Sequence, residues 1–227
     1  DRMEGEKLVI TIGAMIGAGK SSLAKLLGEH LGSEVFYESV EDNPILPLFY
    51  TASDEEIATK RYPFLLQLYF LNTRFRSIKK ALVHENNVLD RSIYEDWYFA
   101  KVNKELGRIS DLEFELYESL LENMLEELEE LPKKSPDLMV YLTGSFETIL
   151  SRIQARGRGY ELDESLVEYY HILWSGYDEW IDRKYHASEV IKIDIDKYDY
   201  VNDIEDQKEV LSMITKKLEE IRKKKLI

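Results

Sequence analysis

The residues with the plainest chemistry stand near the N-terminus, in the run Ile12-Gly13-Ala14-Met15-Ile16-Gly17-Ala18-Gly19-Lys20-Ser21-Ser22. Counting back from Gly19-Lys20-Ser21, the usual first glycine of a phosphate-binding loop falls on Ala14, giving the form Ala-x-x-x-x-Gly-Lys-Ser. The physics of such a loop is intact. Gly17 and Gly19 let backbone N–H groups turn inward around phosphate oxygens, and the following helix adds its positive dipole end. Lys20 has the reach for β- and γ-phosphates, and the Ser21 hydroxyl suits Mg²⁺. A loop of this kind does not by itself separate a phosphotransferase from a silent nucleotide-binding module.

Other side chains narrow the choice. Val88-Leu89-Asp90 ends an apolar run with an acid, where a carboxylate would meet Mg²⁺ beside Ser21, directly or through water. Tyr37-Glu38 ends another, so Glu38 should project from the carboxyl edge of a sheet, the edge at which open α/β sheets bind ligands. A carboxylate there could accept the proton of an attacking hydroxyl; a strand-end Glu that caps a turn is the alternative. Gln67 and Arg74 lie two helical turns apart on one face of an apolar segment. A buried amide offers a donor and an acceptor side by side, which suits a nucleobase edge, and Asp96 is a candidate partner for Arg74. An internal hydrogen-bond network without ligand is the other reading of this pair. Finally, Arg152, Arg156 and Arg158 crowd a helix end beside Gly157 and Gly159. Arginines on a mobile loop are the device that closes over a transferring phosphoryl group, although they could also form a solvated cluster.

These groups need a scaffold. Short apolar runs alternate with long amphipathic ones, the pattern of a parallel sheet covered by helices. Strands are expected at Leu8–Ile12, Glu34–Tyr37, Asn87–Asp90, Leu138–Leu142 and Glu189–Ile195. Helices are expected at Lys20–Leu31, 61–83, 94–106, 110–131, 145–156, 164–184 and 203–225. Residues 61–83 are apolar on nearly every face and should be buried. Residues 111–131 carry nine acidic side chains and no basic one. Their Leu112, Leu116, Leu120, Leu121, Met124, Leu125, Leu128 and Leu131 fall at helical spacing, as one packed face or as a subunit contact.

Composition sets the outer limits. The 227 residues are 44% hydrophobic and 33% charged, with a net charge of −14. A sizeable core can form, and nothing supplies the broad cationic footprint of a nucleic-acid polymer binder. With no cysteine, disulfides, thiolate metal sites and cysteine nucleophiles are excluded. No stretch approaches the roughly 20 apolar residues of a membrane span, so a cytoplasmic protein acting away from membranes is expected.

Taken together, the chain resembles the deoxynucleoside kinase family, closest to its bacterial deoxyadenosine/deoxyguanosine branch. The resemblance runs from Leu8 to about Tyr200. Its markers stand in family order: the phosphate loop at 14–21, Glu38-Ser39-Val40, Gln67 with Arg74, Asp90-Arg91-Ser92 with Asp96, and the arginines at 152–158. It implies an α/β P-loop fold of three layers, one domain over residues 1–227. A five-stranded parallel sheet would carry helices on both faces and an arginine lid at about 152–162. Mg²⁺ and ATP would be the cofactor and donor, with Ala14, Met15, Ile16, Gly17, Ala18, Gly19, Lys20, Ser21 and Ser22 around the phosphates.

Carried over by position, Glu38 is the base for the 5′-hydroxyl of a deoxynucleoside, Arg91 steadies that hydroxyl and the phosphoryl group, and Lys20 holds the donor phosphates. Gln67 reads the base, with Arg74 and Asp96 lining the same pocket. Glu161 and a tyrosine such as Tyr50 hold the sugar 3′-hydroxyl, and the loop around Asp194–Tyr200 covers the adenine of ATP. The family further implies a homodimer formed through helices and inhibition by a deoxynucleoside triphosphate. Deoxyadenosine or deoxyguanosine is the expected acceptor. Deoxycytidine or thymidine is the nearest rival, a nucleoside-monophosphate kinase a more distant one, and a regulatory module without turnover the most distant.

Overall fold

A computed structural model of the chain describes residues 8–38, 40–83, 86–129, 136–161 and 163–225. Ser39, Leu131 and Leu162, which figure in the expectations above, lie outside the described residues. Five strands form one all-parallel sheet: β1 (Val9–Ala14), β2 (Glu34–Phe36), β3 (Asn87–Asp90), β4 (Leu138–Thr143) and β5 (Glu189–Asp194). Their order is β2-β3-β1-β4-β5. β1 sits at the centre with every residue buried, as its near-continuous apolar sequence requires of a strand covered on both faces. Ile10 and Ile12 join one hydrophobic cluster while Val9 joins a second with Leu89. Because neighbouring strand residues point to opposite faces, helices must pack on both sides, and the two clusters show that they do.

The helices are α1 (Lys20–Leu31), α2 (Leu46–Thr51), α3 (Asp54–Lys60), α4 (Tyr62–Ala81), α5 (Ile93–Glu105), α6 (Asp111–Glu129), α7 (Phe146–Arg156), α8 (Val167–Lys184) and α9 (Ile204–Lys225). Two of them were not expected from the sequence. α2 and α3 fill the stretch before α4, and the chain breaks at Arg61, which holds a left-handed φ of 57°. Their signals were present. Pro47 opens α2, and Ser53 with Glu56 closes a full capping box on α3.

Two expectations about faces are corrected. α4 is not buried all round: Pro63, Leu66, Gln67, Leu71, Arg74, Ile78 and Ala81 are buried, whereas Leu65 is 40% exposed. The apolar residues outnumber what one helix face can hide, and the site's polar pair takes part of that face. On α6 the leucine stripe splits. Phe114, Tyr117, Leu121 and Leu128 make the packed face, while Leu112, Leu116 and Leu120 are exposed. The aromatic pair Phe114 and Tyr117, stacked at 6.3 Å, sets which side turns inward.

The strand order reverses at β1, whose two neighbours β3 and β4 lead to opposite halves of the sheet. The crevice beyond the carboxyl ends of β1 and β3 is therefore the expected ligand site of this topology, and the residues singled out above converge there.

Candidate active site

The loop between β1 and α1 can exist only with its glycines. Gly17 (φ 76°) and Gly19 (φ 90°) occupy left-handed backbone. A Cβ on Gly17 would stand 2.5 Å from Ile153 Cγ1, and one on Gly19 would stand 2.8 Å from the Tyr200 hydroxyl. Tyr200 itself donates to the Gly19 carbonyl at 2.9 Å, and Arg152 Nη1 donates to the Ala18 carbonyl at 2.8 Å. The loop is thus clasped from outside by α7 and by the segment after β5. Its first helical N–H groups have no intrahelical partner and remain able to meet an anion.

Next to the loop stands a buried charge network centred on Glu38. One oxygen of Glu38 accepts from Lys20 Nζ at 3.0 Å, and the other from Arg74 Nη2 at 3.0 Å and Arg91 Nε at 2.9 Å. Burial alone would push the Glu38 carboxyl up, but Arg91, Lys20 and Arg74 together hold it well below the usual glutamate range. Each cation has a second carboxylate: Asp90 for Lys20 at 2.5 Å, Asp96 for Arg74 at 2.9 Å, Glu95 for Arg91 at 3.1 Å. The expected Arg74–Asp96 pair is present. Lys20, expected to reach phosphates, here rests between Glu38 and Asp90.

Asp90 also accepts from the Ser21 hydroxyl at 3.0 Å and from the Glu38 N–H at 3.3 Å. Ser21 and Asp90 therefore present two hard oxygen donors side by side, a set that suits Mg²⁺. Among the described residues no group of three or more His, Asp or Glu side chains could hold a metal ion. Mg²⁺ takes one or two protein oxygens and completes its shell with water and phosphate.

Arg91 has a backbone φ of 92°, a conformation that costs a non-glycine residue on the order of 1–3 kcal/mol. The surroundings over-determine it. Its Nη1 donates to the Ala14 carbonyl at 2.9 Å, to Glu95 Oε1 at 3.1 Å and to the Tyr177 hydroxyl oxygen at 3.1 Å. The guanidinium also lies 5.0 Å over the Phe99 ring. Glu95 and Tyr177 were not singled out in the sequence. A signal for Glu95 existed, since Ser92-Ile93-Tyr94-Glu95 is a capping box, but such a box usually marks a helix end at the surface. No local signal marks Tyr177.

A cavity of about 700 Å³ opens from the loop into an apolar recess lined by Leu66, Phe70, Phe99 and Tyr169. Gln67 lines it, 3% exposed, and its Oε1 has no hydrogen-bond partner among the described residues. An orphaned buried acceptor costs about 1–3 kcal/mol, so a ligand carrying a donor would find it ready. Tyr50, Asp96 and Glu161 line the same space.

The arginines at the C-terminal end of α7 and just beyond it find partners inside the protein. Arg156 Nη2 donates to both oxygens of Glu161 at 2.6 and 2.8 Å, and Arg158 Nη1 stands 3.8 Å from the same carboxylate. Arg152 alone touches the phosphate loop. Sequence reasoning left the three between an external anion and a solvated cluster. A buried carboxylate five residues after Arg156 supplies an internal one.

Residues 15–22, Glu38, Tyr50, Gln67, Arg91, Asp96, Arg152, Arg156, Arg158 and Glu161 line one crevice, and Ala14, Arg74 and Asp90 stand behind it, bonded to Arg91, Glu38 and Lys20. Comparison with known proteins places the chain in a family. Residues 10–219 match the profile of the deoxynucleoside kinase family. A deoxyguanosine kinase of Lactobacillus johnsonii is 51% identical over 218 residues, 95% of this chain and 94% of that protein. A deoxyadenosine kinase of Lactobacillus acidophilus is 46% identical over 216 residues, 94% of this chain and 97% of the relative. Among solved structures, deoxyadenosine kinase from M. mycoides with bound dATP superposes with a TM-score of 0.75 at 30% identity. That match covers 93% of this chain and all of the other.

Proposed function

Because this chain belongs to the deoxynucleoside kinase family, we propose that it moves the γ-phosphoryl group of Mg-ATP to the 5′-hydroxyl of deoxyguanosine or deoxyadenosine. The observation that carries this reading is the place of Glu38: between the phosphate loop and the recess of Gln67, ringed by Lys20, Arg74 and Arg91. A hydroxyl held there by a nucleoside in the recess meets both a base and the donor phosphate. The relatives at 46–51% identity are deoxyguanosine and deoxyadenosine kinases, which favours a purine over the pyrimidine alternatives.

The chemistry follows from the network. The loop backbone, Lys20 and Ser22 receive the donor phosphates. Ser21 and Asp90 hold Mg²⁺, which when bound neutralises charge on the phosphates. Lys20 and Arg91 exchange part of their contact with Glu38 for the phosphoryl oxygens. Glu38, relieved of two cations, regains basicity as the hydroxyl arrives and takes its proton. Glu161 and Tyr50 hold the sugar 3′-hydroxyl, and Arg156 and Arg158 turn from Glu161 to join Arg152 in closing on the phosphoryl group as it moves. ATP as donor fits a cytoplasmic location. Among the described residues no helix is long and apolar enough to cross a membrane.

The test is ADP release from Mg-ATP with each of the four deoxynucleosides and with deoxyadenosine monophosphate. Turnover with deoxyguanosine or deoxyadenosine is expected. Turnover only with a pyrimidine would overturn the base assignment, and activity on the monophosphate alone would overturn the acceptor assignment.

Two further properties belong to this reading. Leu112, Leu116 and Leu120 recur every four residues on the exposed side of α6, an apolar strip that fits a homodimer contact. Leu116→Glu should convert a dimer to a monomer in sedimentation equilibrium. A wild-type chain that sediments as a monomer would refute the contact. The cavity joins the phosphate loop to the nucleoside recess without a break, so a deoxynucleoside triphosphate can span both and inhibit.

A further inference from the structure

Glu95 is fully buried and stands outside the mechanism just described, yet its carboxylate holds four groups. Oε1 accepts from the Ala14 N–H at 2.9 Å, from Arg91 Nη1 at 3.1 Å and from the Tyr177 hydroxyl. Oε2 accepts from the Ser92 N–H at 2.8 Å. Ala14 ends β1 and begins the phosphate loop, Arg91 and Ser92 follow β3, and Tyr177 reaches in from α8. One carboxylate thus ties the donor-binding loop to the arginine that meets the base. Tyr177 reinforces the tie: its hydroxyl accepts from Arg91 and also contacts the Ala14 carbonyl at 3.0 Å. Its ring is fixed by stacking on Tyr141 at 5.7 Å and by an edge contact with Tyr98 at 4.9 Å.

The consequence concerns position. Arg91 must keep one edge on Glu38 while remaining free to meet a phosphoryl oxygen, and among the described residues its Nη2 makes no hydrogen bond. Nη1 is fully engaged on the far side. Phosphoryl transfer is governed by placement and preorganised charge rather than covalent help from the protein. A guanidinium locked to the start of the phosphate loop keeps its distance to the donor constant.

We propose that Glu95, backed by Tyr177, is a positioning residue for phosphoryl transfer, acting through Arg91 by locking its guanidinium to the first residue of the phosphate loop. It touches neither substrate. The inference rests on the kinase reading above.

The test uses Glu95→Gln and Tyr177→Phe, alone and each combined with Arg91→Lys. A Gln at 95 has one acceptor and one donor, so either the Ser92 N–H or the cluster of Ala14, Arg91 and Tyr177 donors faces an N–H₂ group. Displacing a reacting group by about 1 Å costs on the order of 10²-fold. We therefore expect kcat of Glu95→Gln to fall by about 10²-fold, with KM for the deoxynucleoside changing by less than about threefold. Tyr177→Phe keeps the ring and loses one hydroxyl, for a fall of about tenfold.

In the background of Arg91→Lys both changes should cost little more, because a lysine cannot make the lost fork of contacts. Unchanged kcat in the single variants overturns the proposal. So do losses that add fully to that of Arg91→Lys, since Glu95 would then serve the fold alone. If Glu95→Gln does not fold, Tyr177→Phe decides by the same two criteria. Wild-type turnover on deoxynucleosides is the control: its absence would sink the kinase reading, whereas an active wild type with indifferent variants sinks only the role of Glu95.

Discussion

Glu38→Gln is expected to slow ADP formation with deoxyguanosine by about 10²- to 10⁴-fold, the range associated with a positioned proton acceptor. The fold should survive the change. Lys20, Arg74 and Arg91 each keep a second carboxylate in Asp90, Asp96 and Glu95, so no cation is stranded when Glu38 loses its charge. Single-turnover kinetics on a protein whose melting temperature is unmoved would check this. The wild-type pH profile of kcat/KM, which reports the free enzyme, carries a second signature. The Glu38 carboxyl is held below its ordinary value by its cations, so it stays ionised at neutral pH and is lost as a base only in acid below the usual glutamate range. A variant that retains near wild-type rates would remove Glu38 from the mechanism.

Arg74→Met should behave in the opposite way, damaging stability as much as activity. Among the described residues both Asp96 oxygens are held by Arg74 alone. Removing the guanidinium strands a buried carboxylate, at a cost of roughly 3–5 kcal/mol. For a chain of this size that is a fall in melting temperature of roughly 6–20 °C. The pH dependence gives the sign. Burial already raises the Asp96 carboxyl above its ordinary value even though Arg74 opposes it. Without Arg74 that pKa rises further, so the folded variant binds a proton more tightly than the unfolded chain does. Its stability deficit should therefore be smallest in mild acid and grow as pH rises through the new value. Asp96→Asn in the same background should recover part of the loss. Thermal melts at pH 5 and pH 8 on both variants test the account; an Arg74→Met protein as stable as wild type at pH 8 would contradict it.

The contrast between these variants shows why the network is built as it is. Every cation at the base has two anions, while Asp96 has one cation. Charge on Glu38 can change during turnover without unfolding the site, whereas the wall behind the nucleoside recess is rigid because its pair cannot be separated cheaply.

Much of this was legible before any coordinates. The phosphate loop, β1 and β4 were readable because a buried parallel strand is a short unbroken apolar run and a phosphate loop is a fixed local spacing of glycines, lysine and serine. Gln67 and Arg74 could be paired because seven residues are two helical turns, and Asp96 was found as one of the few acids in an apolar stretch. Strand limits moved by only a residue or two; Tyr37, for example, falls just outside β2.

What the chain kept to itself has one physical cause. Local spacing reports on neighbours along the backbone, and the decisive contacts here join residues far apart in it. The face that α6 turns inward and the ring of Lys20, Arg74 and Arg91 around Glu38 depend on which elements pack together. So does the role of Glu95: its sequence marks a capping box, and only the meeting of β1, β3 and α8 makes that same carboxylate a bond between the phosphate loop and Arg91. The sequence alone determined which chemistry the protein carries. Tertiary packing decided how its charges are shared, because a buried ion must find its partners wherever the fold brings them.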